Sequence, residues 1–426
     1  MTYVNGYQCT LCHTTFSNEK PLNTCPNCGD TGILDVRYDY NQIQQTFTKE
    51  TLANNSDATM LRYLPLLPIE PPKQPYLQVG NTPLYPSTSI GPAHGLNHLY
   101  FKDETVNPTA SLKDRASLIA CLRAIEEGQN TVCCSSTGNA ASSLAGNAAK
   151  CGLESVIFVP KRAPIGKLTQ LVMYGSRVIQ VQGDYKQTFE LSQQAIDTYN
   201  MYNRNAAINP HLVEGKKTVA LEIAEQLEFS PIDYVYVSVG DGCTIGGVYK
   251  GFYDFKQLGF IDTIPKIIGV QAEGCAPLYD AFFNQKDVEE TTEDTFADSI
   301  AVGKPRNPIK ALQAVTKSKG TFLTVRDQEI KDAMILLGKS EGIFAEPAGA
   351  TALAGLIKHQ RQGVIQKDDV IVVLITGNGL KDPNSVADIV QDKLFQINPS
   401  EAHSMKDNPT IEGFLHTIHT RGERHE

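Results

Sequence analysis

A lysine at the start of a helix, preceded by hydroxyls and a proline, is suited to imine chemistry. The stretch Asn107-Pro108-Thr109-Ala110-Ser111-Leu112-Lys113-Asp114-Arg115 has that form. Ser111 and Asp114 have capping-box spacing, which would hold Lys113 in the first helical turn, where the helix dipole opposes a positive charge. Alone, this motif reads by default as an exposed lysine at a helix start. A second turn, Ser135-Ser136-Thr137-Gly138-Asn139-Ala140-Ala141-Ser142-Ser143, offers hydroxyls and backbone amides sized to cradle a carboxylate. Its plain alternative is an ordinary N-cap. In Gly240-Asp241-Gly242-Cys243-Thr244-Ile245-Gly246-Gly247, the glycines let backbone N–H groups approach a phosphate closely. This loop is neither a Walker A motif nor a GxGxxG fingerprint, so it does not point to a nucleotide. The fourth turn, Thr376-Gly377-Asn378-Gly379-Leu380-Lys381-Asp382-Pro383, directly follows the apolar run 370–375.

Four of the ten cysteines fall in Cys9-x2-Cys12 and Cys25-x2-Cys28. Paired CxxC turns bring four thiolates to one point, the donor set of tetrahedral zinc, with reduced thiols as the alternative. Four protein ligands leave no open coordination position, so such a metal would be structural. His13, beside Cys12, reads as a bystander. Cys121, Cys133, Cys134, Cys151, Cys243 and Cys275 are scattered among apolar or small neighbours. The opening Met1-Thr2-Tyr3-Val4-Asn5-Gly6 lacks the basic and apolar regions of a secretory signal, and the expected location is cytoplasmic.

These motifs need a scaffold to position them. The chain's 426 residues, 41% apolar, are enough for two or three cores. From about Leu99, strand-like and helix-like segments alternate at short intervals, the signature of a wound α/β sheet. Strands are predicted at 99–102, 131–135, 155–159, 177–181, 234–239, 267–271, 321–325 and 370–375. Helices are predicted at 112–127, 140–150, 165–174, 185–199, 217–227, 245–258 and 327–340. The fold class is therefore α/β, with two wound domains in a body over 99–397, the smaller at about 128–200 inserted in the larger. Ahead of it lie a ribbon of short strands over 1–40, including 33–38, and a linker and extended segment over 41–98. In that segment, 41–57 is polar and leads away from the ribbon. Residues 61–76 contain Pro65, Pro68, Pro71, Pro72 and Pro75, cannot hold a regular helix, and are expected to run extended over the surface. The tail over 398–426 carries His403, His416, His419 and His425 without companion ligands and reads as a surface segment.

The order of the four turns resembles the fold type II pyridoxal-phosphate enzymes and, within them, threonine synthase. The resemblance rests on Lys102-Asp103-Glu104, the Asn-Pro-Thr-x-Ser-x-Lys-Asp-Arg stretch, Ser136-Thr137-Gly138-Asn139, the glycine loop and Thr-Gly-Asn-Gly-Leu-Lys-Asp, and runs from about Leu77 to Pro383. It implies pyridoxal 5'-phosphate held as an imine on Lys113, which would also shuttle protons. It further implies Asn139 at the cofactor's ring oxygen, Gly240, Asp241, Gly242, Cys243 and Thr244 around its phosphate, and Thr376 facing the pyridine nitrogen. Ser136, Thr137 and Asn139 would bind the substrate carboxylate. A cysteine knuckle ahead of the body, here Cys9, Cys12, Cys25 and Cys28 around zinc, occurs in some relatives. A homodimer acting on a small amino acid is also implied, with O-phosphohomoserine and water giving threonine and phosphate.

The chain departs from that family at the substrate phosphate. Where many members have Asn-Ser-x-Asn-Pro-x-Arg before a Glu-Gly turn, this sequence has Ala206-Ala207-Ile208-Asn209-Pro210-His211-Leu212 before Glu214-Gly215, and Ala140 replaces a hydroxyl. A dianionic leaving group needs several charge-assisted hydrogen bonds, and loss of the arginine partner alone removes roughly 1.5–3 kcal/mol. Two readings stand: loss of water from, or replacement on, an unphosphorylated amino acid such as serine or threonine, or a phosphate site rebuilt from Arg204, Asn205, Lys216 or Lys217. Other function classes fare worse. With 38 Lys plus Arg against 47 Asp plus Glu, the net charge of -9 gives no general attraction for nucleic acid or anionic membranes. The ribbon, with Lys20 and Arg37 against Glu19, Asp30, Asp35 and Asp39, has the wrong balance for phosphate contacts. The longest apolar run is far short of the roughly 20 residues that span a bilayer.

Overall fold

A computed structural model describes residues 2–161, 163, 165–205 and 207–387. Ala206 and the tail from 398 with its histidines lie outside them. Four strands open the chain as an antiparallel sheet: β1 (Val4–Cys9), β2 (Thr15–Phe16), β3 (Thr24–Cys25) and β4 (Gly29–Tyr38), in the order β2-β1-β4-β3. Tyr7 pairs with Val36 across β1 and β4, and both join Leu34 and Tyr38 in the apolar cluster that also contains Phe252 and Phe255. The N-terminal sheet therefore shares its core with the rest of the protein.

Residues 41–57 do not lead away. They form α1 (Tyr40–Ile43) and α2 (Lys49–Ala53), started by Asp39 and Thr48 side chains that accept backbone N–H groups. Ile43, Phe47 and Leu52 are buried, and Phe47 stacks on Phe260 with centroids 5.5 Å apart. Three apolar residues in a polar stretch suffice to dock it. Nor does 61–76 simply run over the surface. Met60–Leu66 is a 3-10 helix, kinked at Tyr63, that buries Met60, Leu61, Tyr63 and Leu66. Its shorter repeat accommodates Pro65, and the apolar side chains between the prolines decide its burial.

Two parallel sheets follow. β5 (Leu84–Pro86), α3 (Ile90–Ala93), β6 (His98–Asp103) and α4 (Lys113–Glu126) begin the larger one, so its edge strand falls within the segment read as linker. The smaller sheet is built from β7 (Thr131–Ser135), α5 (Asn139–Cys151), β8 (Glu154–Pro160), α6 (Ile165–Met173), β9 (Arg177–Val181), α7 (Tyr185–Tyr199) and β10 (Tyr202–Asn203), in the order β10-β7-β8-β9. The chain then returns to the larger sheet through α8 (His211–Gln226), β11 (Tyr234–Ser238), α9 (Cys243–Gln257), β12 (Lys266–Ala272), α10 (Pro277–Asn284), α11 (Pro308–Lys317), β13 (Thr321–Val325), α12 (Asp327–Glu341), α13 (Pro347–Arg361) and β14 (Val370–Ile375). Its order is β13-β12-β11-β14-β6-β5, with only β5 antiparallel. Central strands such as β14 are apolar along their length because helices cover both faces. Helices α10, α11 and α13 were not predicted. Each has a proline in its first turn, and α13 is rich in Ala and Gly and buried nearly all round, so it lacks an amphipathic period. A separate unit begins at Pro383, of which 383–387 are described, with a 3-10 turn over Pro383–Val386. Among the described residues, no helix is long and apolar enough to cross a membrane.

One ionic cluster fixes β6, α4 and α8 against each other. Arg115 donates from Nε to Glu104 Oε2 at 2.7 Å, and from Nη1 and Nη2 to Glu222 at 2.6 and 2.7 Å. Lys102 Nζ reaches the same Glu222 at 2.7 Å, and all four side chains are fully buried. Burial alone would raise the Glu222 carboxyl, but Arg115 and Lys102 together hold it below the usual carboxylate range. Glu222→Gln leaves two buried cations undercompensated and should cost about 3–5 kcal/mol, read as a lower urea midpoint at unchanged slope. A midpoint equal to wild type would show that the cluster is not a structural lock.

His211 joins the N-terminal sheet to α8. Its Nε2 meets Tyr7 Oη at 3.1 Å and its Nδ1 meets Tyr202 Oη at 3.2 Å. Burial, with the Arg123 charge adding, pushes the ring down to about 3. A folded-state value below the unfolded one, about 6.5, means the neutral ring's contribution is complete above that pH and is lost as pH falls toward about 3. The thermal midpoint should therefore fall less steeply on acidification below pH about 6.5 in His211→Gln than in wild type.

Candidate active site

The loop before Lys113 is held by its own side chains. Asn107 Nδ2 donates to Glu104 Oε2 at 2.8 Å, tying the loop to the ionic cluster. The capping box expected between Ser111 and Asp114 does not form. Asp114 instead accepts from Thr109 N and Oγ1 at 2.7 and 2.8 Å and from Asn147 Nδ2 at 2.8 Å, while Leu112 occupies the N-cap position. Those donors came from inside the loop and from α5, which local spacing could not reveal. Burial raises the Asp114 carboxyl to about 6 despite them. Leu112 N donates to Thr376 O at 2.9 Å, and Ser111 bridges to Gly377, so the turn after β14 is pinned to the start of α4.

Lys113 itself is half-buried rather than exposed. Its amine makes no hydrogen bond or ion pair among the described residues. Burial lowers its pKa, the nearby Arg204 charge adds to this, and Cys243, Asp241 and Glu346 oppose it. The same groups locate it: Asp241 and Cys243 belong to the glycine loop, and Glu346 precedes α13. Desolvation makes the neutral, nucleophilic amine more accessible.

At α5 the N-cap is Gly138, which contributes no side-chain cap. Ser136 Oγ accepts from Gly138 N at 3.2 Å, while Thr137 is half-buried and tied to none of the other candidates. Asn139 donates from Nδ2 to Glu346 Oε1 at 2.8 Å. Glu346 N in turn donates to Gly377 O at 3.0 Å, and a Cβ on Gly377 would lie 2.5 Å from Glu346 Oε1. Asn139, Glu346 and the Thr376–Gly377 turn thus interlock. Glu346 was not singled out from sequence. Its signal was Glu346-Pro347, a proline at a helix start, in a segment with no visible helical period. Lys381 completes the closure, donating to Thr109 O, Ser142 Oγ and Gln170 Oε1 at 2.8–2.9 Å.

The glycine loop opens α9 with Gly242 at φ +85°. A Cβ there would lie 2.6 Å from Asn307 O, and one on Gly240 would lie 3.0 Å from Ile300 Cα. Asp241 Oδ1 accepts from Arg306 N at 3.2 Å, which fixes the loop from α11's side. Asn307 Nδ2 and Oδ1 and Ser238 Oγ are buried and have no partner among the described residues. A helix N-terminus without a side-chain cap, a loop with room only for glycine, and unpartnered polar atoms beside it suit a phosphate group. Cys243 is buried against Ile33 and Ala207, and Thr244 is half-buried in the first turn.

Of the residues considered for a rebuilt substrate-phosphate site, Lys217 is committed elsewhere. It pairs with Glu214 at 2.5 Å and Asp254 at 2.6 Å, facing Tyr38 of β4. Leu212 is in the core, and Ala207, at φ +68°, is buried.

Cys9, Cys12, Cys25 and Cys28 form a second cluster, their sulfurs within 4.8 Å of one another. Leu11 N donates to Cys9 Sγ at 3.4 Å, and a Cβ on Gly32 would lie 2.5 Å from Cys25 Cβ, so the turns are tight. His13 is exposed and is not part of this set.

A family model for the pyridoxal-phosphate dependent enzymes matches residues 76–377, which contain Lys113, Asn139, the glycine loop, Glu346 and Thr376. A threonine synthase of Methanocaldococcus jannaschii is 39% identical over 382 residues, 89% of this chain and 93% of that protein. One of Methanosarcina acetivorans is 38% identical over 389 residues, 90% of this chain and 94% of that protein. The chain belongs to the threonine synthase family of pyridoxal-phosphate dependent enzymes. It is a threonine synthase-like, pyridoxal-phosphate-dependent lyase. Among solved structures, maize serine racemase superposes with a TM-score of 0.63 at 22% identity, over 73% of this chain and 92% of that one. The processed threonine deaminase isoform 2 of Solanum lycopersicum also scores 0.63, at 23% identity over 73% and 82%. These two share the fold.

In this threonine synthase-like site the glycine at 242 is required twice, by its φ and by Asn307. Gly242→Ala should lose on the order of 1–3 kcal/mol and retain less cofactor after gel filtration. Gly259, at φ +73° with nothing within 4 Å, is the control: Gly259→Ala should lose stability by strain alone and keep the cofactor.

Proposed function

We propose that the protein converts O-phosphohomoserine and water to threonine and phosphate, with pyridoxal phosphate carried on Lys113. The observation that carries this is the desolvated, unpaired Lys113 amine set between the glycine loop and the Asn139–Glu346 pair. When bound, the cofactor supplies an electrophilic carbon for amines and an electron sink for bonds at Cα. Gly240, Asp241, Gly242, Cys243 and Thr244 would hold its phosphate through the amides at the start of α9. Asn139, its amide oriented by Glu346, would meet the ring oxygen. Thr376 would face the ring nitrogen, and a neutral hydroxyl there does not enforce protonation as an aspartate would.

Lys113 Nζ, once free of the cofactor, is a desolvated amine able to take protons from Cα and Cβ as phosphate departs from Cγ, and to return one to Cγ before water adds at Cβ. The amides at the start of α5, with Ser136, Thr137 and Asn139, would bind the substrate carboxylate. Glu346, whose carboxyl is raised by burial against the pull of Asn139, Lys381 and Lys113, would hold Asn139 and limit the negative charge beside the site. Borohydride reduction of the purified protein should tag Lys113, and Lys113→Ala should lower turnover by at least about a hundredfold. Phosphate release with threonine formation from O-phosphohomoserine is expected. Keto-acid release from serine or threonine without that reaction would overturn the proposal in favour of an unphosphorylated substrate.

We also propose that Cys9, Cys12, Cys25 and Cys28 hold a structural zinc. Tetrahedral zinc–thiolate bonds of about 2.3 Å set sulfurs roughly 3.8 Å apart, and the Cys12–Cys25 pair is at 3.7 Å. One zinc per chain by elemental analysis, and a lower thermal midpoint after chelation, are expected. Full stability in metal-free protein would contradict this role.

A further inference from the structure

Two buried cations near Lys113 have no counter-ion among the described residues. Arg204 is 1% exposed; its Nε donates to Ser117 Oγ at 3.1 Å, but its Nη2 has no partner. Lys216 is 2% exposed and makes no hydrogen bond or ion pair among the described residues. The next residue provides the contrast: Lys217, about 100° further round α8, has two carboxylates of its own. Unpaired charges in the interior are strongly unfavourable unless a ligand completes them.

Both cations border the candidate active site. Arg204 N donates to Cys133 O at 2.9 Å on β7, the strand that leads into the Ser135–Asn139 turn. Ser117, its Nε partner, lies one helical turn beyond Lys113 on α4 and shares a 2.7 Å hydrogen bond with Ser143, one turn beyond Asn139 on α5. Lys216 packs against the first turns of α9, its Cβ 3.0 Å from where a Cβ on Gly247 would stand. The fields of Lys113, Arg204 and Asp241 all reach it, and burial with the two like charges brings it down to about 8.

The surroundings are equipped for an anion. Asn205 Nδ2 and the hydroxyls of Ser135 and Ser111 are buried and unpartnered. The loop carrying Arg204 is stapled: Asn205 N donates to Asn203 Oδ1, Asn209 Nδ2 to Asn203 O, and Ser135 N to Asn205 Oδ1, at 2.8–2.9 Å. It presents its donors with little further ordering needed.

We propose that Arg204 and Lys216, with the Asn205 amide, bind the phosphate of the substrate, an assignment that rests on the O-phosphohomoserine reading above. They supply from shifted positions what Ala207 and Leu212 cannot. The chemistry recognised is a phosphate dianion, for which the cofactor is the other source. The glycine loop and Asn307 already offer donors for that one, whereas Arg204 sits on the β7 side with the carboxylate cradle.

The test uses holoenzyme and the phosphonate in which a methylene replaces the ester oxygen of O-phosphohomoserine, with homoserine as the counterpart that lacks the phosphate. Arg204→Met and Lys216→Met should each weaken phosphonate binding by about tenfold to a hundredfold. Homoserine binding and pyridoxal-phosphate retention should change less than about threefold on that scale. Arg204→Lys should recover part of the loss, and it carries the arginine test if Arg204→Met does not fold. Unchanged phosphonate affinity in the folded variants overturns the assignment. Loss of cofactor retention equal to the loss of phosphonate binding also overturns it, by giving the cations to the cofactor. Wild-type enzyme that neither binds the phosphonate nor releases phosphate from O-phosphohomoserine sinks the functional reading itself. Wild-type binding with unaffected variants sinks only this site.

Discussion

A fully buried guanidinium, Arg115, sets how the elements that carry the candidate site meet. Its donors go to Glu104 and Glu222, and Lys102 balances the second acid, so the cluster is neutral and each charge faces a partner. Ions removed from water are tolerated only when the geometry is this complete. The cluster joins β6, the start of α4 and the middle of α8. A Cβ on Gly215 would lie 2.2 Å from Arg115 O, so α4 and α8 meet backbone to backbone beside it. Lys113 begins the first helix of that pair and Lys216 is carried by the second.

The site exists because the two parallel sheets bring several helix starts into reach of one amine. Each start is built for a different task. That of α4 is closed from within by Asp114 and delivers a lysine. Those of α5 and α9 are capped by glycine and leave backbone donors free. The turn after β14 interlocks with both the lysine loop and Asn139 through Gly377. Burial then acts in opposite senses on opposite charges, lowering Lys113 and Lys216 and raising Glu346. All three are shifted toward their neutral forms beside the site.

The N-terminal sheet is joined to this arrangement rather than appended to it. Tyr38 donates to Glu214 at 2.8 Å and Tyr40 to Asp254 at 2.6 Å, while Lys310 reaches Leu34 O at 2.7 Å and Asp35 at 2.6 Å. Ile33 packs on Cys243 of the glycine loop and on Ala207. The cysteine turns thus shape a sheet whose far residues support the first turns of α8 and α9.

Much of this was legible locally. The alternation of apolar runs and helical segments marks the parallel sheets because each strand is covered on both faces, and the CxxC pairs and the four turns carry their chemistry in adjacent residues. Other features were not local. Asp114 finds Thr109 and Asn147 instead of Ser111; the polar segment around Phe47 and the proline-rich segment around Tyr63 are buried by partners far along the chain; α13 is hidden by its small residues; and Glu346 matters because Asn139, 207 positions away, turns toward it. Among the charged residues near 210, sequence made Lys216 and Lys217 equivalent. The amino-acid order alone determined which chemical groups the protein owns and the turns that present them. Only the tertiary structure decided which charges are matched and which stand unpaired, because desolvation and pairing depend on distances between elements that sequence separates.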